Sequence, residues 1–403
     1  MKTSTAISAT LLLISAALHA QTDPGPRPGP PTSGRPLDGL TGAQLDAFDR
    51  GRRAFGEIEN IGDGLGPRFN LDSCVGCHAH PAPGGSSPRV NPQLAVATKL
   101  GASNVVPPFI QQDGPVRVVR FRRNADGTPD GGVHDLFVVA GRADAPSGCQ
   151  IAQPDFSDRQ NTVFRIPTPT FGLGLIEAIS DSVLRANLAA DGDRKRQAGI
   201  RGRFNINGND GTITRFGWKA QNKSLLLFAG EAYNVEMGIS NSLFPQERDE
   251  TAACATLTGV NDDGPSIQQQ ADFMRLLAPP QPSASTDSIE RGRAVFDTAA
   301  CSLCHTPSIG NANLYSDVAL HRMGQNLNDG VNQGIAQGDE WRTAPLWGLG
   351  DRLFLLHDGR SRDLLDAIRQ HDSPGSEAHS SVVTFNGLTA DQKQDLLNFL
   401  RSL

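Results

Sequence analysis

Aromatic side chains are scarce in this chain of 403 residues: they make up 6% of it, with 2 tyrosines and 3 tryptophans. Interiors are close-packed, so a chain this poor in large side chains leaves room for something else in its core. Long apolar runs are missing as well. Apart from Ala6–Ala17 no stretch nears the roughly 20 residues of a membrane helix, and no membrane span is expected. Nor is there an excess of positive charge. A net charge of −6 argues against nucleic acid or an anionic membrane as partner. The clusters Arg117–Arg123 and Arg194–Arg203 are diluted by acidic and polar residues and read as solvated surface.

What is abundant is glycine and proline, 43 and 27 residues, so loops are expected to be plentiful. Lys2, the apolar run and "ALHA" ending at Ala20 have the layout of a signal peptide over residues 1–20. Export to the periplasm or beyond the cell follows as an expectation. Residues 21–38 contain "DPGPRPGPPTSGRP" and read as a tether without fold of its own.

Four of the 6 cysteines lie in two C-x-x-C-H strings, Cys74–His78 within "SCVGCHAHP" and Cys301–His305. In an exported chain this pattern reads as covalent c-type haem attachment: each thiol adds to a porphyrin vinyl group, and the adjacent His78 or His305 ligates iron from one face. Zinc uses four thiolates or a histidine pair and does not require a histidine directly after both second cysteines. Two haem groups, held by Cys74, Cys77, Cys301 and Cys304, are therefore the expected cofactors. Cys149 and Cys254 lack such a setting; a disulfide between them is the economical reading in an oxidising compartment, closing a loop of about a hundred residues. Two buried free thiols are the alternative.

The chain repeats itself. "RGRRAF" (Arg50–Phe55) and "RGRAVF" (Arg291–Phe296) precede the two haem strings, "PTFGLG" (Pro169–Gly174) and "PLWGLG" (Pro345–Gly350) follow them, and "FMRLL" (Phe273–Leu277) and "FLRSL" (Phe399–Leu403) close the units. Three matches in one order imply two related domains. The linker "APPQPSASTDS" places them at 39–280 and 281–403. The expected fold is mainly α: two cytochrome c-like haem domains in tandem, with loop-rich inserts and small β-hairpins. Thr389 and Gln392 form a capping-box signature for the closing helix. "RVVRFRRN" and "VHDLFVVAG" read as strands of an insert running from about Pro83 to Phe164, and Gly208–Gly211 as a turn between two strands.

Further strings, "RIPTPTFGLGLIEAI", "TRFGWKAQNKSLLLFAGEAYNVEMGISN", "EWRTAPLWGLG" and "FLLHDGRSRDLLDAIRQH", resemble the bacterial di-haem oxidoreductase family. Its relatives are di-haem cytochrome c peroxidase and the di-haem enzyme that matures methylamine dehydrogenase. The resemblance covers nearly the whole chain after the signal and implies a set of roles. His371, after "HDG", matches the second axial ligand of the C-terminal haem; on the residues alone, Leu364, Ile368 and His371 share one face of a helix capped by Ser361, with Met323 as rival ligand. Trp218 matches the tryptophan between the haems, and Glu236 matches the acid/base glutamate of the peroxide pocket; core packing and a helix-end ion pair are their plainer readings. Arg342 in "EWRTAPLWGLG" is taken as a cofactor-binding residue, and His321 and His357 as hydrogen-bonding neighbours. Two departures stand out. No glutamine lies in "LLLFAG" (Leu225–Gly230), where the peroxidases carry one, and His371 replaces their methionine, which lowers haem potential.

The resulting expectation is a peroxidase-like oxidoreductase: the N-terminal haem meets hydrogen peroxide or another small oxidant, and the C-terminal haem passes electrons from a small electron-transfer protein such as a cytochrome. A di-haem electron carrier without turnover is the alternative, with His134 or Met237 closing the first haem's sixth position. An oxidase of a protein or organic substrate is a third reading.

Overall fold

The computed structural model describes residues 21–28, 32–66, 68–101, 109–124, 126–128, 135–136, 139–140, 143, 147–149, 156–158, 160–246, 260–262 and 265–403. The signal-peptide segment, His134 and Cys254 lie outside the described residues.

The fold is mainly helical. In the first half, the helices are α1 (Gly42–Gly56), α2 (Cys74–Cys77), α3 (Gln93–Lys99), α4 (Leu173–Glu177), α5 (Asp181–Ala189), α6 (Gly192–Ala198), α7 (Leu225–Met237) and α8 (Pro265–Leu276). In the second they are α9 (Asp287–Thr298), α10 (Leu364–Gln370), α11 (His379–Gly387) and α12 (Ala390–Ser402). Small antiparallel sheets decorate them. β1 (Arg68–Phe69) pairs with β4 (Val139–Ala140); β2 (Val118–Phe121) lies between β3 (Asp135–Leu136) and β5 (Thr162–Arg165); β6 (Leu320–Arg322) pairs with β7 (Glu340–Arg342).

The repeat is visible as packing. α1 crosses α8 and α9 crosses α12. A glycine sits at each crossing because a side chain would not fit. A Cβ on Gly51 would meet the Gln269 carbonyl and stand 2.8 Å from the Phe273 Cβ, and one on Gly292 would meet the Asp395 carbonyl and stand 2.6 Å from the Phe399 Cβ. Phe55 reaches Phe273 (centroids 4.9 Å apart) and Phe296 reaches Phe399 (5.4 Å). α12 opens on the expected capping box, the Thr389 hydroxyl accepting from Gln392 N and the Gln392 side chain closing back.

Three sequence readings change. α10 begins at Leu364 and is capped by Asp363, not Ser361; the Ser361 hydroxyl bonds the Asp363 backbone instead. The Gly208–Gly211 turn is flanked by a single bridge, Ile206 to Ile213, rather than by strands. The larger hydrophobic core draws in Ile309, Ala312, Leu314, Val318 and Trp347 from beyond the linker, so packing continues across the position read as a domain boundary. Residues 21–28 form no helix or strand, yet Asp23 and Arg27 pin the segment to the C-terminal unit through Arg401 and Asp351.

Candidate redox site: two cavities joined by a tryptophan

Each C-x-x-C-H string folds as one tight turn at a cavity wall. Ser73 caps α2, its hydroxyl accepting from Gly76 N, and Cys74, Cys77 and His78 face a cavity shared with Glu236. Cys301, Cys304 and His305 line a larger one, of about 250 Å³, with His371 and Met323. The two cysteine pairs therefore do not converge on one metal. Among the described residues no cluster of three or more His, Cys, Asp or Glu is placed to hold an ion. Burial, reinforced by the Glu236 carboxylate, pushes the Cys74 and Cys77 thiols up, and burial raises Cys301 to about 12. Cys149 is disulfide-bonded.

The histidines share one arrangement. His78 Nδ1 is 2.9 Å from the Gly85 carbonyl oxygen, His305 Nδ1 2.9 Å from that of Tyr315, and His371 Nδ1 2.7 Å from that of Ala367. Each Nδ1–H donates to a carbonyl, which leaves Nε2 with its lone pair. Burial lowers His78 and His305 to about 4 and lowers His371 too, so all three are neutral at pH 7. Phe55 stands edge-on to His78 (5.9 Å) and Phe296 is tilted against His305 (6.4 Å).

Orphaned polar atoms mark where a polar edge of a bound group would rest. In the larger cavity Arg342 donates from Nε to the Gly217 carbonyl, but its Nη1 and the Arg352 Nε have no partner among the described residues. Burial pulls both guanidiniums down to about 10. Such enclosed cations suit carboxylates like the propionates of haem. In the smaller cavity the Asn70 amide and Gln270 Nε2 are similarly unpartnered. An apolar space lined by two thiols, an available imidazole nitrogen and two buried guanidiniums with unpartnered nitrogens, as the larger cavity is, fits haem.

Trp218 lines both cavities. Its Nε1–H donates to the Ile166 carbonyl at 2.8 Å, and its ring stands 6.4 Å from Trp341 and 6.5 Å from His357. Trp341 is stacked on His357 at 3.8 Å, and Lys219 Nζ lies 3.8 Å from the Trp341 ring centroid. Lys219 is fully buried and pairs with Asp329 at 3.3 Å, which Arg165 also holds at 2.6 Å. Burial lowers Lys219 to about 7 against the pull of Asp329.

Residues 119–403 match the family described as "Di-haem oxidoreductase, putative peroxidase". The chain belongs to the di-haem oxidoreductase family. No curated protein matches it. Among solved structures it is similar to the di-haem peroxidase BthA of Burkholderia thailandensis, at 15% identity and TM-score 0.32 over 47% of this chain and 65% of that one. It is also similar to a MauG-like protein associated with microbial copper homeostasis, at 16% and 0.30 over 56% and 90%. Hydrazine synthase of Kuenenia stuttgartiensis matches at 19% and 0.29 over 36% and 57%. This chain thus spans less than two thirds of the BthA and hydrazine synthase chains. Among the described residues of this family member no helix is long and apolar enough to cross a membrane.

The structure brings the residues read as haem-attaching to two cavity walls in this di-haem oxidoreductase, together with residues the sequence reading did not single out. Gln221 and Glu231 join Glu236 in the smaller cavity, Gln221 Nε2 donating to Glu231 Oε2 at 3.2 Å while Asn222 donates to the same oxygen. Gln221 lies three residues beyond Trp218, on the near side of the stretch where a glutamine was sought. Met237, a candidate sixth ligand, is buried in the hydrophobic core and is not among the residues lining the smaller cavity. His321 has both nitrogens engaged, Nε2 with Asp317 at 2.9 Å and Nδ1 with Glu377 at 2.8 Å. A bonded role suits it, and ligation does not.

Proposed function

We propose that this protein is an exported di-haem c-type cytochrome that reduces hydrogen peroxide at its N-terminal cavity, with electrons entering through the C-terminal one. One contrast carries the reading. The C-terminal cavity offers His305 and His371, two imidazoles with Nε2 available, whereas His78 is the one histidine that lines the N-terminal cavity among the described residues, together with Glu236, Glu231 and Gln221. The first set would suit a group that only passes electrons; the second would suit a reactive position flanked by proton carriers.

Covalent haem would be held by Cys74, Cys77 and His78 and by Cys301, Cys304, His305 and His371, and would supply the redox chemistry. The residues around it do the rest. Glu236 takes the proton from the near oxygen of peroxide and returns it to the departing oxygen, a task that suits a half-buried carboxylate. Gln221, whose Oε1 has no partner among the described residues, is placed to orient the substrate. Trp218 connects the cavities, and Arg342 and Arg352 neutralise propionates. The electron donor is a small electron-transfer protein such as a cytochrome.

A second reading, an electron carrier without turnover, is favoured by one observation: Met274 lines the N-terminal cavity and could offer its thioether as a sixth ligand. Peroxide consumption by the purified holo-protein, with only the higher-potential haem reduced, separates the two. Consumption that falls about a hundredfold or more in Glu236→Gln supports the peroxidase. No consumption and two low-spin haems, one turning high-spin in Met274→Ala, supports the carrier.

A further inference from the structure

The two units anchor the helix facing each cavity in the same way, but with a carboxylate from a different place. In the first unit Glu177 does two jobs: Oε2 accepts from Arg275 Nε at 2.7 Å, and Oε1 accepts from Leu225 N at 2.8 Å. Leu225 opens α7, the helix that carries Glu236. Arg275 belongs to "FMRLL", and its counterpart in "FLRSL" is Arg401.

Arg401 meets Asp23. Asp23 Oδ1 accepts from Arg401 Nε at 2.7 Å, and Oδ2 accepts from Arg401 Nη2 at 2.7 Å and from Leu364 N at 2.8 Å. Leu364 opens α10, the helix that ends on His371. The repeat has no carboxylate of its own here: three residues beyond the last glycine of "PTFGLG" is Glu177, whereas three beyond that of "PLWGLG" is Leu353. The glycines agree. A Cβ on Gly174 would strike the Arg275 carbonyl and one on Gly350 the Arg401 carbonyl, and the latter would also stand 2.5 Å from Arg27 Nε of the 21–28 segment.

We propose that Asp23 is a positioning residue of the C-terminal cavity: the 21–28 segment is a strap that supplies, from outside the repeat, the tie that Glu177 supplies within it. The proposal rests on the reading of His371 as an iron ligand. α10 is seven residues long, about 10 Å, so a tie at Leu364 fixes the height at which His371 meets the cavity. The strap's other contacts serve the same end. Arg27 pairs with Asp351 at 2.6 Å, and the Asp351 carbonyl receives the His80 Nε2–H at 2.8 Å. Arg401 Nη1 donates to the carbonyl of Arg352, one of the two unpaired cations of that cavity. The Asp23–Arg401 pair is nearly inaccessible, at 4% and 3% exposure, against 22% and 35% for Glu177–Arg275. Water can replace little of the lost tie at Asp23.

The test compares Asp23→Ala, Glu177→Ala and His371→Ala holo-proteins by visible spectra, the midpoint potential of each haem and amide exchange. Asp23→Ala is expected to accelerate exchange at Leu364–Ala367 about tenfold or more and to turn part of the C-terminal haem high-spin while the N-terminal haem keeps its spectrum. Glu177→Ala should accelerate exchange at Leu225–Phe228 and leave the C-terminal haem unchanged. A lowered melting temperature in Asp23→Ala, with wild-type exchange at Leu364 and wild-type C-terminal spectrum and potential, would overturn the proposal. Should Asp23→Ala not accumulate, Asp23→Asn keeps the shape and an acceptor but loses the charge, and the same shifts are expected at smaller size. If His371→Ala is spectrally silent the ligand reading falls by itself, and exchange at Leu364 alone decides whether the strap ties α10.

Discussion

A neutral imidazole held by a backbone carbonyl at Nδ1 is a directional object, and His371 is one of three here. Replacing it with alanine should turn the C-terminal haem from low to high spin, read from the visible spectrum; an unchanged spectrum would hand the position to Met323. A different residue sets a pH limit. Glu59 is 6% exposed and receives the Tyr233 hydroxyl at 2.5 Å; burial, together with Glu57, Asp63 and Asp262, raises its carboxyl to about 7. The folded state thus holds a proton that the unfolded state releases near pH 4.5, so the stability from Glu59 is fully present below that pH and declines as pH rises through 7. Glu59→Gln should match wild type at pH 4 and exceed it by about 1–3 kcal/mol at pH 8 in denaturant titrations. At this scale the sequence was legible wherever chemistry imposes local spacing. Cys74, Cys77 and His78, read as haem-attaching from their spacing, do come together at one cavity wall. Gln221, Glu231 and Arg352 carry no such constraint; they reach the cavities through tertiary packing, which no motif records.

Helices repeat the lesson in another form. Glycine inside a helix normally costs about 1 kcal/mol relative to alanine, so Gly51→Ala and Gly292→Ala would stabilise isolated helices. In the fold each should instead destabilise by about 1–3 kcal/mol or more, because the new methyl meets a carbonyl and a phenylalanine of the crossing helix. Chemical denaturation of both variants checks the sign. The Arg-Gly-Arg strings were legible as a repeat, and the capping box of α12 as a helix start. The start of α10 was misjudged by two residues because Ser361 and Asp363 are both good caps, and only the fold decides between them. The strands of the insert were found from their alternation: β2 pairs on both sides, with β3 and β5.

Across the whole molecule, similar helix crossings lie on either side of the proline-rich linker, and the core continues past it. Trp347 and Ile309 pack into the first unit's cluster, Arg203 bonds the side chain of Glu340, and the Arg342 amide donates to the Trp218 carbonyl at 3.0 Å. Joined in this way, the two units should lose protection in one transition when hydrogen exchange is followed through thermal unfolding. A second unit that opens first, with the first intact, would show that these joints are weaker than the cores they connect. Proline and glycine content correctly excluded helix from residues 21–28 but could not reveal two charged side chains seeking partners more than three hundred residues away.

That separation sets an order of events. In an exported chain Asp23 crosses the membrane hundreds of residues ahead of Arg401, and in the finished fold they share a carboxylate–guanidinium grip that also holds Leu364. Until Arg401 arrives the early segment waits unattached, whereas the matching tie of the first unit, whose Glu177 and Arg275 are only 98 residues apart, can form sooner. The molecule closes like a clasp, the earliest described residues locking down the helix of the later unit once its closing helix has been made.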